Sequence, residues 1–118
     1  MIKKAEDMIR EIRERMRGGS GQVELVQLFS PGEFTGKARL IARLTLPAGA
    51  SIGMHQHLHD EEIFYFISGK GFYQDTPDDP GQPIQAGDAS LTLAGGWHAI
   101  VNQGPEPLVL LAVILLTD

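Results

Sequence analysis

The sequence predicts an all-β domain, an antiparallel barrel or sandwich, preceded by a short N-terminal α-helix. Three observations point there. After Gly21 apolar residues recur with period two, as at Leu40, Ala42, Leu44 and Leu46, which is the repeat of a strand with one covered face. The apolar runs are short and bounded by Gly, Pro, Asp or Asn, and 14 Gly and 7 Pro among 118 residues favour tight turns over long helices. Before Gly18 the period is three to four instead.

Taken in order, Ile2, Ala5, Ile9, Ile12 and Met16 are separated by charged residues at helical spacing, so residues 1–17 read as an amphipathic helix ended by Gly18, Gly19, Ser20 and Gly21. Residues 1–21 form this helix and its connection, and residues 22–118 the β domain. Strands follow around Val23 and Leu25, from Leu40 to Leu46, and from Ile63 to Ile67. Others run from Gly71 to Gln74, Ala89 to Leu93, Ala99 to Asn102 and Leu108 to Leu116. The stretch from Asp75 to Pro83 is dense in turn formers and reads as a surface loop, without the spacing of a calcium loop. Between Ile63 and Ile67 both parities are apolar, so both faces of that strand should be covered, the outer one by a second sheet or a second subunit.

Ten basic and fifteen acidic residues give a net charge of −5, which disfavours nucleic acid as a partner. Residues 1–17 hold six basic and four acidic residues, so the acidity lies in the rest of the chain. With no cysteine there is no disulfide framework and no thiolate site, and any metal must be held by His and carboxylates. The longest apolar run, Leu108 to Leu116, is nine residues, about half of the roughly 20 that a membrane-crossing helix needs. No membrane partner is expected, no secretory signal is visible, and a cytoplasmic location follows.

All four histidines fall in two short segments: His55, His57 and His59 in MHQHLHDEE, and His98 in GGWHAIVN. Residues i and i+2 of a strand share a face, so His55 and His57 can offer both imidazoles to one ion. Glu62, opening the next strand, shares the parity of Phe64 and Phe66 and can add a carboxylate, although Glu61 competes for the role. His98 could supply a fourth ligand if the barrel closes. Three imidazoles and a carboxylate suit Mn, Fe, Co, Ni, Cu or Zn better than Ca or Mg.

These residues lie in two motifs. From Gly49 to Gly69 the chain reads G-x5-H-x-H-x4-E-x6-G, and from Gly87 to Asn102 it reads G-x5-L-x-G-x2-H-x3-N. The pair resembles the two conserved motifs of the cupin superfamily, with Leu93 standing where that family usually has Pro. The resemblance implies a double-stranded β-helix (jelly-roll) barrel. It implies one divalent metal held by His55, His57, Glu62 and His98, with positions left open to water or substrate. The six-residue count to Gly69 selects Glu62 over Glu61. The resemblance also implies a homodimer, to which the doubly apolar strand, the apolar C-terminal run and the helix could contribute surface. Asn102 would cap the second motif.

Around these ligands, His59 is expected exposed or at the pocket rim. Trp97, Phe64, Phe66 and Phe72 are expected in the core. Arg39 and Arg43 are expected to point outward, because the inward parity belongs to Leu40, Ala42 and Leu44. The leading functional expectation is a metal-dependent enzyme, of dioxygenase or decarboxylase type, acting on a small oxygenated substrate, with no acid or base identified beyond the ligands. The alternative is a non-catalytic domain that binds or senses a small molecule around a structural metal.

Overall fold

The computed structural model describes residues 1–118 and has ten strands: β1 (Ile9–Glu14), β2 (Gln22–Gln27), β3 (Ala38–Leu46), β4 (Ser51–Gln56), β5 (Asp60–Ser68), β6 (Lys70–Gln74), β7 (Gln82–Gln85), β8 (Ala89–Thr92), β9 (Trp97–Val101) and β10 (Leu108–Leu116). They form two antiparallel sheets, one ordered β1-β2-β3-β10-β5-β8 and the other β4-β9-β6-β7. This is the expected all-β architecture. The inward side chains of both sheets meet in one core: Leu25, Leu44, Phe66 and Leu110 from the larger sheet, Ile52 and Ile100 from the smaller. Each such side chain contributes about 1.5–3 kcal/mol by leaving water. No helix is long and apolar enough to cross a membrane.

The N-terminal helix is not there. Only 3-10 turns at Ala5–Asp7 and Met16–Gly18 are helical, and between them β1 pairs antiparallel with β2, from Ile9 opposite Gln27 to Glu14 opposite Gln22. A spacing of three and four residues describes a helix only if the apolar stripe finds cover. Here Ile9 and Ile12 stay more than half exposed, and of the stripe only Met16 packs against the core. The glycine-rich segment lets the chain fold back, and the free edge of β2 offers β1 a full set of backbone partners. Of the Arg and Glu residues on β1, Arg10 pairs across to Glu24 at 3.3 Å, and together they charge the new edge against further pairing.

The loop from Asp75 is shorter than expected, since Gln82 and Pro83 already belong to β7. On β5, Phe64 and Phe66 are buried, whereas Ile63, Tyr65 and Ile67 are 37–48% exposed. Within one chain the outer face of this strand is therefore uncovered. Asn102 is fully buried and ties three segments together. Its Nδ2 donates to the carbonyls of Leu46 and Glu106 at 2.9 and 2.8 Å, and its Oδ1 accepts from the Gly104 amide.

Candidate metal centre

The four predicted ligands come together at one point inside the barrel. On β4, His55 lies opposite His98 of β9, after a register shift that begins at Ile52. His57 follows the end of β4 and is pinned by paired backbone bonds, its amide to the Gly96 carbonyl and the Gly95 amide to its own carbonyl. Glu62, not Glu61, points inward from β5 and is 5% exposed. His57, Glu62 and His98 place one donor atom each in a triangle with sides of 3.0–3.1 Å. His55 Nε2 lies 3.1 Å from His98 Nε2, and all four donor atoms fall within 4.8 Å of one another.

The donor set fits a divalent ion. The outer nitrogen of His55 faces the Gly53 carbonyl at 2.8 Å, and that of His57 faces the Asp60 carboxylate at 2.7 Å. Both acceptors demand a proton on Nδ1, which leaves the lone pair on Nε2 turned into the cluster. His98 Nδ1 meets the hydroxyls of Thr92 and Tyr73 at 2.8 and 3.1 Å. Lone pairs converging on one point repel unless a cation sits among them. Ligand arms of about 2.1 Å set at right angles would separate neighbouring donors by roughly 3.0 Å, close to the sides of this triangle.

Electrostatics divides the histidines. Burial, assisted by the neighbouring positive charge of His98 and Arg17, pushes His55 down to about 4 despite the Gly53 hydrogen bond. Without a cation, Nε2 of His57 can carry a second proton and bond Glu62, which outweighs burial and raises His57, and Asp60 adds to it. Burial opposes ionisation of Glu62, but the hydrogen bonds of His57 and His98 prevail and hold its carboxyl below the usual range.

Sequence reasoning missed Asp60. Its side chain is 8% exposed and bridges two groups: Oδ1 accepts from His57, and Oδ2 accepts from Arg39 Nη2 and Nε at 2.8 and 3.1 Å. The available signal was its parity, two residues before Glu62 on the same strand. Arg39 corrects an expectation. Ile114 pairs with Leu40 and Leu115 with Ala38, so Arg39 is the extra residue of a β-bulge, and a bulge re-aims its side chain against the alternation. Arg43 keeps the expected outward direction, near Glu24. His59 is exposed, as expected, 3.6 Å from the Asp118 carboxylate.

Trp97 is not core. It opens β9 with parity opposite to His98 and is 37% exposed. Phe72 is only partly buried, whereas Phe64 and Phe66 are core, and Phe64 also stacks on the His98 ring at 4.9 Å. A cavity of about 70 Å³ opens onto His55, His57 and Glu62. Leu40, Leu44, Ile52, Phe64 and Ile114 give it apolar walls, and Arg13, Arg17 and Arg39 give it a basic mouth. Clefts that take drug-sized ligands measure roughly 300–1,000 Å³, so this cavity suits only a few heavy atoms.

Comparison with known proteins agrees with this arrangement. A family model described as "Cupin domain" matches residues 42–114. A Thermotoga maritima protein named "Oxalate-binding protein" is 41% identical over 116 residues, 98% of this chain and 94% of that protein. A crystal structure from Thermotoga maritima, described as a predicted oxalate decarboxylase, superposes with a TM-score of 0.90 at 40% identity, covering 98% of this chain and 99% of that one. A cupin protein of Bacteroides fragilis is similar at 31% identity and a TM-score of 0.62, over 72% of this chain and 70% of its own. With a matched model over more than half its length and a relative of this identity along nearly all of it, the chain belongs to the cupin family.

Proposed function

We propose that this protein binds a small dicarboxylate of the oxalate class at a divalent transition metal (Mn, Fe, Ni or Zn) held by His55, His57, Glu62 and His98. The observation that carries the reading is the convergence of four donors, three of which (His55, His57 and Glu62) line a small cavity that Arg13, Arg17 and Arg39 also border. The name of the Thermotoga maritima relative supports it. When bound, such an ion supplies Lewis-acid attraction for a carboxylate. The chain's own groups do the rest. Asp60 orients the imidazole of His57 and the Gly53 carbonyl that of His55, the aliphatic walls exclude bulk water, and the arginines offset the ligand's charge.

A decarboxylase or dioxygenase is the second reading, supported by the description of the superposed Thermotoga structure. Losing CO2 from a dicarboxylate leaves a carbanion that must take a proton. Apart from the ligands, the ionisable groups around the cavity are arginines, which hold their protons too tightly to give one up. That favours binding over turnover. Calorimetry with oxalate on metal-loaded and metal-free protein, beside an assay for CO2 and formate, tests both. Saturable binding that requires metal, without CO2, is expected. Formate and CO2 in equal amounts would replace the binding reading with the decarboxylase, and absence of binding would overturn both.

We further infer a homodimer that covers the outer face of β5, β8 and β10, where Ile63 lies beside Val113 and Leu91, and Tyr65 beside Leu111. A cytoplasmic location is consistent with a chain that has no cysteine.

A further inference from the structure

The segment between β1 and β2 is the least ordinary backbone in the molecule. Arg15 (φ 48°, ψ 48°) and Arg17 (φ 55°, ψ 32°) both lie in the left-handed region, which side chains without a short polar group seldom adopt. Surrounding structure has to hold them there. It does so by docking the turn on β4, the strand that carries His55. A Cβ at Gly53 would collide with the Arg17 carbonyl oxygen, and one at Gly19 with the carbonyl of Ser51, so the two backbones touch where only glycine fits. Ser20 and Ser51 clasp the contact: the Ser20 amide donates to Ser51 Oγ and the Ser51 amide to the Ser20 carbonyl, both at 2.8 Å. The carbonyl of the same Gly53 orients His55, so the turn and the metal ligand share one anchor.

The consequence of this strained, doubly anchored turn is where it puts charge. Arg13 and Arg17 join Arg39 at the cavity mouth. Arg39 is held by Asp60, and Arg13 pairs at 2.9 Å with Glu11 on the surface, but Arg17 has no acidic partner. An arginine without a partner, beside converging metal donors and a cavity with room for about two waters, is poised for an anion.

Building on the metal-dependent dicarboxylate reading above, we propose that the Arg13–Gly19 segment is the anion-selecting rim of the site. Arg17, with Arg13 beside it, engages the carboxylate oxygens turned away from the four donors. The site thereby prefers a dianion to a monoanion of equal size. The N-terminal strand and turn are thus part of the binding site, although they lie outside the matched cupin region, which starts at residue 42.

The test is calorimetric titration of Mn(II)-loaded full-length protein with oxalate and with glyoxylate, for the parent, Arg17→Gln, Arg17→Lys and Gly53→Ala, with Mn(II) affinity measured in parallel. Arg17→Gln should weaken oxalate about ten- to hundredfold, the range for losing a charge-assisted contact. It should barely move glyoxylate and leave Mn(II) affinity within threefold. Arg17→Lys should recover part of the loss, and Gly53→Ala, which dislodges the turn, should also reduce the preference for oxalate. Oxalate binding within twofold of the parent in Arg17→Gln, with the parent binding normally, would overturn the rim while sparing the dicarboxylate reading. A parent that holds Mn(II) but binds no oxalate would overturn both.

Discussion

Replacing Asp60 by Asn keeps the size of the side chain and removes its charge. In the protein this carboxylate accepts the His57 Nδ1 proton at 2.7 Å and two bonds from Arg39 at 2.8 and 3.1 Å, and it is 8% exposed, so water does little to screen it. An amide can still accept from His57, so the imidazole keeps its orientation but loses the negative charge that makes Nε2 a stronger donor. Carboxylates placed behind a metal-bound histidine are worth 10–100-fold in metal affinity, or about 1.4–2.7 kcal/mol, and the same loss is expected for Asp60→Asn. Competition between the metal-free protein and a chelator for Zn(II) measures it directly. Arg39→Gln should weaken Zn(II) less, because the guanidinium acts through Asp60, and the double variant should match Asp60→Asn to within about 0.5 kcal/mol. An Asp60→Asn protein with an unchanged spectrum of the folded state and Zn(II) affinity within twofold of the parent would mean that the Asp60 charge does not strengthen the donor atom of His57.

Three further outcomes follow from the same geometry. In metal-free protein an NMR titration should find His55 changing protonation near pH 4 and His57 above the usual histidine value of about 6.5. A raised pKa means His57 holds its proton as the pH falls through that value, so metal affinity should drop from there, with His55 joining the competition only near 4; the reverse order of midpoints would contradict this. Asn102→Ala removes the partner of two carbonyls and one amide in the interior and should cost about 2–4 kcal/mol in urea unfolding, whereas a cost under about 0.5 kcal/mol would mean water replaces it freely. Sedimentation at micromolar concentration should show a dimer that Tyr65→Glu converts to monomer; a parent that sediments as a monomer would rule the dimer out.

The convergence of His55, His57, Glu62 and His98 was legible because metal-binding chemistry would force such a spacing. Two imidazoles can reach one ion from one strand only at i and i+2, and the glycine and asparagine positions around His55 and His98 complete a pattern that chance seldom assembles. The core of β2 and β3 was legible for a related reason, since period-two burial leaves a direct trace in residue type, whereas β5 and β10 are apolar on both parities and show only in the structure which face is buried. What escaped depends on contacts remote in sequence. Residues 1–17 satisfy a helical period, yet the edge of β2 gave the backbone a better partner than the core gave the stripe. Alternation along β3 assigned Arg39 outward, and nothing local announces the bulge that turns it toward Asp60. Asp60 drew no attention in the sequence, because its importance lies in what His57 and Arg39 bring to it. Trp97 is apolar in type but opens β9 on its exposed face, opposite in parity to its neighbour His98.

Elemental analysis of protein purified without chelators or a metal-affinity tag, repeated on His98→Ala, tests the metal centre most directly. Close to one transition-metal ion per chain is expected in the parent and almost none in the variant, with the β-rich circular dichroism of both alike. A parent that carries no metal and takes up none of Mn, Fe, Ni or Zn on reconstitution would contradict the four-ligand site, as would a His98→Ala protein that keeps its full complement.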